Sequence, residues 1–254
     1  MVNVYALLAK AMYLMRLTTL FETCPHGCRY CYVLGQLHLS PEEYFGPARV
    51  RKNLFQDLER EIPKVDPAKW EPPIHLCWHG DPYPSEIEGE NPTRRALELF
   101  KHGSPFGPLK VDILTKGGTR VCRDYNLLTP GEDHVGATLT FIDPVDSLKW
   151  EPGAALPDDR LSALREAHER GIGTWASMVP IIDPAQTLEL IESSYPFVDS
   201  YFLARGQVTN PGAAEIDWSG YYRKLDQLLT RLKVDYRIQN PGEWHRPVAS
   251  GGNQ

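Results

Sequence analysis

Cysteine is scarce in this chain, with five in 254 residues and three of those inside one loop. That distribution excludes the disulfide framework of a small secreted domain and points to a reducing, cytoplasmic compartment. Long apolar runs are missing as well. Nothing approaches the roughly 20 residues that a membrane-spanning helix needs, so no membrane partner is expected. The apolar stretch from Met1 to Met15 has only Lys10, with Arg16 just after it, as basic residues, and no small-residue cleavage site follows. It reads as mature protein rather than as a signal peptide. Positive charge is not in excess either: the formal net charge is -6 and the pI ≈ 5.8. An acidic chain lacks the global field of a non-specific nucleic-acid binder, although a local basic groove stays open as an alternative. No internal repeat or low-complexity tract is present.

What is present is a core-forming sequence, 42% hydrophobic, whose 22 prolines and 20 glycines are spread along the whole length. They punctuate many short elements rather than mark one linker. Apolar or β-branched runs at 17–21, 74–78, 111–115, 135–140, 174–179 and 198–203 read as buried parallel strands. Helices are expected at 41–62, 92–101, 158–170, 184–193 and 216–232, with a closing strand at 234–238. The first helix carries a capping box, Ser40 with Glu43, and Pro41 at its first position. In the last, Tyr221, Leu225, Leu228, Leu229 and Leu232 read as the core face, with a stacking and phosphate-binding surface around Trp244, His245 and Arg246 as the alternative. Alternation of this kind implies βαβ units, and six strands are too few for a closed eight-fold barrel. The expected fold is α/β, a partial (β/α)6 TIM-like barrel with its active site at the C-terminal strand ends. Residues 1–240 read as one domain and 241–254 as a tail, disordered from Ala249 to Gln254.

The chemistry-bearing segment is Cys24-Pro-His-Gly-Cys28-Arg-Tyr-Cys31-Tyr32, three thiols at spacing C-x3-C-x2-C after the first strand. Three thiolates can hold three irons of a [4Fe–4S] cube and leave the fourth without a protein ligand. A substrate or cofactor can bind that iron directly, so the pattern suggests chemistry rather than a sealed relay. The alternative is a zinc site on Cys24, Cys28 and Cys31, completed by His26 or a distant histidine. Structural zinc sites usually join two short clusters, and no second C-x2-C occurs elsewhere.

The loop, with Tyr30 before its last cysteine, resembles the radical S-adenosylmethionine (SAM) superfamily. A narrower resemblance runs over residues 15–205 and joins several segments in order. They are Gly27-Cys-Arg-Tyr-Cys-Tyr32, Gly80-Asp-Pro-Tyr83 with Glu88 and Thr93-Arg94, Leu114-Thr-Lys116, Glu151-Pro-Gly-Ala with Arg160-Leu161, and Gly171-Ile172 leading to Val179-Pro-Ile-Ile182. Together they are similar to the spore photoproduct lyase-like branch of that superfamily. The resemblance implies a partial barrel of the radical SAM type, with Cys24, Cys28 and Cys31 ligating a [4Fe–4S] cluster. It also implies that SAM chelates the open iron, that one electron from the cluster cleaves it, and that the 5′-deoxyadenosyl radical removes a substrate hydrogen atom.

The same resemblance suggests roles for other residues. His79, Gly80 and Asp81 fall where relatives meet the SAM amino group, with Asp81 the best acceptor, although Gly-Asp-Pro is also good turn chemistry. Lys116 is expected to pair with the SAM carboxylate, or else to be a solvated rim lysine. Thr138 and Thr140, on one face of a strand by alternation, offer hydroxyls. Glu151 and Arg160 read as a structural pair that shapes the site, with Arg160 the one that reaches the cofactor. Met178 is expected to contact adenine or ribose, or to be ordinary core. Tyr30 and Tyr32 match tyrosines flanking the last cluster cysteine. Cys77 lies near a hydrogen-donating cysteine of the branch, but one residue out of register with Asp81 as anchor. It reads either as part of a radical relay with Tyr32 or as a small buried hydrophobe. Cys122 has no assigned role.

The expected function is radical SAM chemistry on a pyrimidine, as free nucleotide or DNA base, in repair or modification. The alternatives are a small-molecule or peptide-modifying isomerase or lyase, and a zinc or iron–sulfur regulatory module without turnover. A flavodoxin- or ferredoxin-type electron donor is the implied partner.

Overall fold

Glycine- and proline-bounded apolar runs produce short strands, and the charged, periodic segments between them produce helices. The structure, a computed structural model, describes residues 18–70, 73–206, 216–240 and 243–245. In chain order the first elements are α1 (Tyr32–Leu37), α2 (Pro41–Tyr44), β1 (Ala48–Arg49), α3 (Leu54–Glu61), β2 (Ile74–Leu76), β3 (Ile87–Glu88) and α4 (Thr93–His102). β4 (Val111–Thr115), a 3₁₀ stretch (Gly118–Leu127), β5 (His134–Thr138), α5 (Pro144–Trp150), α6 (Pro157–Glu169) and β6 (Gly173–Met178) follow. The chain continues with α7 (Pro184–Ser194), β7 (Ser200–Ala204), α8 (Trp218–Leu232), β8 (Asp235–Asn240) and β9 (Glu243–His245). One sheet runs in the order β2-β4-β5-β6-β7-β8-β9, its first six strands parallel and β9 antiparallel. β1 and β3 pair apart from it. Six parallel strands with helical crossovers make the partial (β/α)6 barrel expected from the sequence, with β9 added along the outer edge of β8.

Period two sorts the strands into two faces. On β4, Val111, Ile113 and Thr115 are buried, whereas Asp112 and Leu114 are half-buried and point the other way. Val111 and Ile113 share one core with Leu97 and Phe100 of α4 and Leu164 of α6. Burying a leucine or phenylalanine in that layer contributes roughly 1.5–3 kcal/mol. In α8, Tyr221, Leu225, Leu228 and Leu229 form the buried stripe, as their spacing predicts. Asp143, Asp183 and Asp217 cap α5, α7 and α8 by accepting main-chain N–H bonds. Gly171, at φ +73°, turns the chain after α6.

Two expected elements take a different form. The run at 17–21 is not a strand: of its described residues, Phe21 makes one isolated antiparallel bridge to Val50. Leu20 and Phe21 are consecutive and both fully buried, which breaks the alternation a sheet face requires. The sixth parallel strand is instead β8, at the position read as a closing strand. The helix expected at 41–62 is split. The capping box on Ser40 and Glu43 forms, but α2 stops at Tyr44 and Phe45 turns extended. Pro47 cannot donate to a helix and disfavours helical geometry just before it, so the chain exits into β1 and restarts at α3.

β9 falls in the segment read as a tail, and Ala249–Gln254 lie outside the described residues. Among the described residues no helix is long and apolar enough to cross a membrane.

Candidate active site

The cysteine loop has little secondary structure of its own and is held from outside. The Cys24 N–H donates to the Tyr44 carbonyl at 3.0 Å and the Arg29 N–H to that of Trp150 at 2.9 Å. The His26 carbonyl accepts from the Gly153 N–H at 3.0 Å. A Cβ on Gly153 would sit 2.1 Å from the Pro25 carbonyl oxygen, so only glycine allows this approach. The clamp comes from the α5–α6 connection, which contains the Glu151-Pro-Gly sequence.

Cys24 and Cys28 are buried, Cys31 is half-buried, and all three line one cavity of about 570 Å³. Burial pushes all three thiols above their ordinary pKa, Cys28 up to about 12, while the charge of Lys116 pulls each of them down. Among the described residues, no three Cys, His, Asp or Glu side chains gather closely enough to hold a single metal ion. Three thiols on one cavity are the donor set that fits a [4Fe–4S] cluster with an open iron. His26, the nearby fourth-ligand candidate for zinc, instead places Nδ1 3.5 Å from the Asp81 carboxylate. Burial lowers its pKa to about 4, and its Nε2 is buried with no hydrogen-bond partner among the described residues.

The loop after β2 forms the facing rim. Cys77 and Gly80 both take positive φ, +58° and +79°, which turns the chain sharply at the strand end. The Gly80 N–H donates to the Tyr44 hydroxyl at 2.8 Å. The Asp81 carboxylate is heavily used by the protein itself. It accepts from the Tyr83 N–H at 2.8 Å, the Thr115 hydroxyl at 2.6 Å and the Lys116 N–H at 2.6 Å. Such a hub locks the end of β2 to the end of β4 and, through His26, to the cysteine loop. Its removal would strand buried donors.

A second hub lies behind Tyr30. Arg160 and Glu151, 1% and 0% exposed by side chain, pair at 2.6 Å. Arg160 also donates to the Ala155 carbonyl at 2.7 Å and to the Thr138 carbonyl at 2.9 Å. Burial raises the Glu151 pKa, with Arg160 opposing. The Tyr30 hydroxyl donates to the other Glu151 oxygen and lies 3.3 Å from the Thr140 hydroxyl. Lys116 Nζ sits 5.7 Å from the Tyr30 ring centroid, and Lys116 pairs with no carboxylate among the described residues. Lys116, a cation without a carboxylate partner among the described residues, lines the cavity.

The other expected site residues divide into two groups. Tyr30, Tyr32, Cys77, Gly80, Asp81 and Lys116 line the cavity with the cysteines, as does Thr138. Tyr32 is 61% exposed and donates to the Trp78 carbonyl. His79, Thr140, Arg160 and Met178 are not part of the lining. Arg160 and Thr140 stand behind Tyr30, and Met178 is fully buried ahead of Val179 and Pro180, which do line the cavity. His79 is half-buried, burial lowers its pKa, and its Nε2 has no partner. Cys122 lies on the 3₁₀ stretch beside Glu166, outside the lining.

Sequence reasoning missed His75, Trp78, Trp175, Ser177, Phe202 and Arg237, all of which line the cavity. His75, Trp175 and Phe202 sit at half-buried strand positions, so an aromatic or polar residue breaking the apolar alternation was the available signal.

No protein-family model matches the chain, and no curated protein sequence matches it. Solved structures do. A spore photoproduct lyase variant with dinucleoside spore photoproduct is 18% identical, with TM-score 0.56, over 86% of this chain and 61% of that one. Streptococcus suis SuiB bound to S-adenosylmethionine is 15% identical, with TM-score 0.56, over 87% and 49%. SuiB bound to its precursor peptide SuiA is 13% identical, with TM-score 0.59, over 88% and 48%. The fold is that of the radical SAM enzymes. On this partial barrel, the cysteine loop and the strand-end cavity are one site. The chain spans less than two thirds of the length of each of these three structures.

Proposed function

We propose that the chain is a radical SAM enzyme, holding a [4Fe–4S] cluster on Cys24, Cys28 and Cys31 and binding S-adenosylmethionine beside it. The observation that carries this reading is that three thiols and the unpaired Lys116 ammonium open on one cavity at the C-terminal strand ends. Held by Cys24, Cys28 and Cys31, with SAM beside Lys116, these groups would supply one-electron reductive cleavage and hydrogen-atom abstraction chemistry.

The chain's own residues bind, orient and exclude water. Lys116 is suited to the SAM carboxylate as a point charge. Asp81, already bonded to three donors, holds Gly80 and the β2 rim in position, leaving main-chain atoms of His79 and Gly80 to meet the SAM amino group. Thr138 offers a hydroxyl from β5. Arg160 and Glu151 orient Tyr30, with Thr140 beside its hydroxyl. Met178 fixes the Val179-Pro180 turn behind the adenosyl side. Cys77 and Tyr32, both on the cavity, are assigned to hydrogen-atom return.

The matched structures include one with a dinucleoside and one with a peptide, so the scaffold leaves the substrate open between a pyrimidine and a small molecule or peptide. Reducing equivalents are assigned to a flavodoxin- or ferredoxin-type donor. Anaerobic reconstitution is expected to load about four irons per chain. Reduction with SAM is then expected to release 5′-deoxyadenosine. A colourless protein with a single zinc would overturn the reading.

A further inference from the structure

Side chains of β2, β4 and β6 form a network separate from the residues assigned above to the cofactors. His75 Nδ1 lies 2.7 Å from Asp112, its registered neighbour across the β2–β4 pairing. The other Asp112 oxygen accepts from the Trp175 indole N–H at 2.6 Å. Trp175 belongs to β6, so its ring must cross β5 to reach β4. It crosses at Gly136, which is registered between Leu114 and Trp175. A Cβ at Gly136 would lie 2.3 Å from the indole, so the missing side chain is what lets this three-strand bridge form.

The bridge has a direction. A carboxylate at Nδ1 keeps the ring proton there and leaves Nε2 as the acceptor. Nε2 has no hydrogen-bond partner among the described residues. His75 lines the same cavity as the cysteines, and its side chain is 18% exposed. The Trp78 ring packs against it at 4.7 Å between centroids and the Trp175 ring at 6.3 Å. Lys116, Asp81 and Arg237 are the other charged groups facing this space. An imidazole whose Nε2 opens on the cavity, backed by a carboxylate at Nδ1 and flanked by two indoles, is the arrangement of a general base beside an aromatic platform.

We infer, resting on the radical SAM reading, that His75 accepts a proton from the substrate and that the substrate is a planar ring carrying an O–H or N–H. The ring seats against Trp78, His75 and Trp175. The O–H or N–H bond breaks heterolytically, its electron pair stays on the substrate atom, and the proton forms the N–H bond at Nε2. Asp112 neutralises the resulting imidazolium. Asp112 and Trp175 are positioning residues, and His75 is the group that touches substrate.

The probe is p-nitrophenol, a planar O–H acid that is coloured as the phenolate and quenches nearby tryptophan. It is titrated into the reconstituted full chain in mildly acidic buffer, with difference absorbance and tryptophan fluorescence read together. The wild type is expected to give saturable quenching and a phenolate band that saturates in parallel. His75→Gln is expected to keep the quenching and lose at least about tenfold of the band, the change that 1.4 kcal/mol of lost proton affinity produces. Asp112→Asn, whose amide donates to Nδ1 and moves the ring proton to Nε2, is expected to lose the band as well. An undiminished band in His75→Gln, or no saturable quenching in the wild type, overturns the inference. Because His75 is partly exposed, its variant carries the test if Asp112→Asn does not fold. Failure of the radical SAM reading registers separately, as absence of 5′-deoxyadenosine from SAM while the p-nitrophenol response persists.

Discussion

The sheet from β4 to β7 and the segment from 18 to 53 reach order by different routes. The sheet is regular: paired registers run unbroken across neighbouring strands, and alternation alone decides which side chains face the helices. The earlier segment contains isolated bridges, two short helices and left-handed turn residues at His38 and Asn53. It is ordered by bonds to distant parts of the chain, such as Tyr30 to Glu151 across 121 positions. The scaffold is thus specified locally, and the cluster loop is specified by what it docks against. Damage to the loop should remove chemistry and spare the fold, whereas damage to the docking partners should weaken both.

The sharpest test of that separation is Cys28→Ala. Iron after anaerobic reconstitution is expected to fall from about four per chain to below one, with unchanged far-UV circular dichroism. A parallel loss of helix signal would break the comparison. Arg160→Met attacks the docking side, because it leaves Glu151 buried without its partner. The expected cost is about 3–5 kcal/mol in urea denaturation, with weakened retention of the cluster measured on the same sample. Gly136→Ala acts inside the regular sheet by driving the Trp175 indole off its crossing. About 1–3 kcal/mol of destabilisation is expected, with a red-shifted tryptophan emission and an unchanged iron content. The smallest effect belongs to Cys77→Ala. If Cys77 is no cluster ligand, iron loading stays at about four per chain and stability drops by about 1 kcal/mol. Loss of an iron there would place a fourth thiolate on the cluster and contradict the open-iron assignment.

Much of the scaffold was legible from composition and spacing. Strands 111–115 and 174–179 and the helices opened by Pro184 and ended by Gly171 lie where periodicity and turn chemistry put them, within a residue. Position 17–21 misled because an apolar β-branched run signals burial, and burial here comes from packing rather than from a ladder. The helix expected at 41–62 misled because its capping box is a strong start signal, while Pro47 ends it only seven residues later. In the site, the cysteines, Tyr30, Gly80, Asp81 and Lys116 were visible as motif residues. Asp81's saturation by Tyr83, Thr115 and Lys116 was not, since those donors converge only when two strand ends meet.

Read alone, the sequence named three candidate cluster ligands and the kind of barrel, because both depend on short spacings: three thiols in eight residues, period two in strands and a helical period between them. The tertiary structure decided which residues share a cavity. His75, Asp112 and Trp175 are 37 and 63 positions apart, and only the parallel register of β2, β4, β5 and β6 brings them together. Local preferences act over a few residues, whereas cross-strand neighbours are set by how whole strands align. The His75–Asp112–Trp175 bridge therefore became visible only in the folded chain.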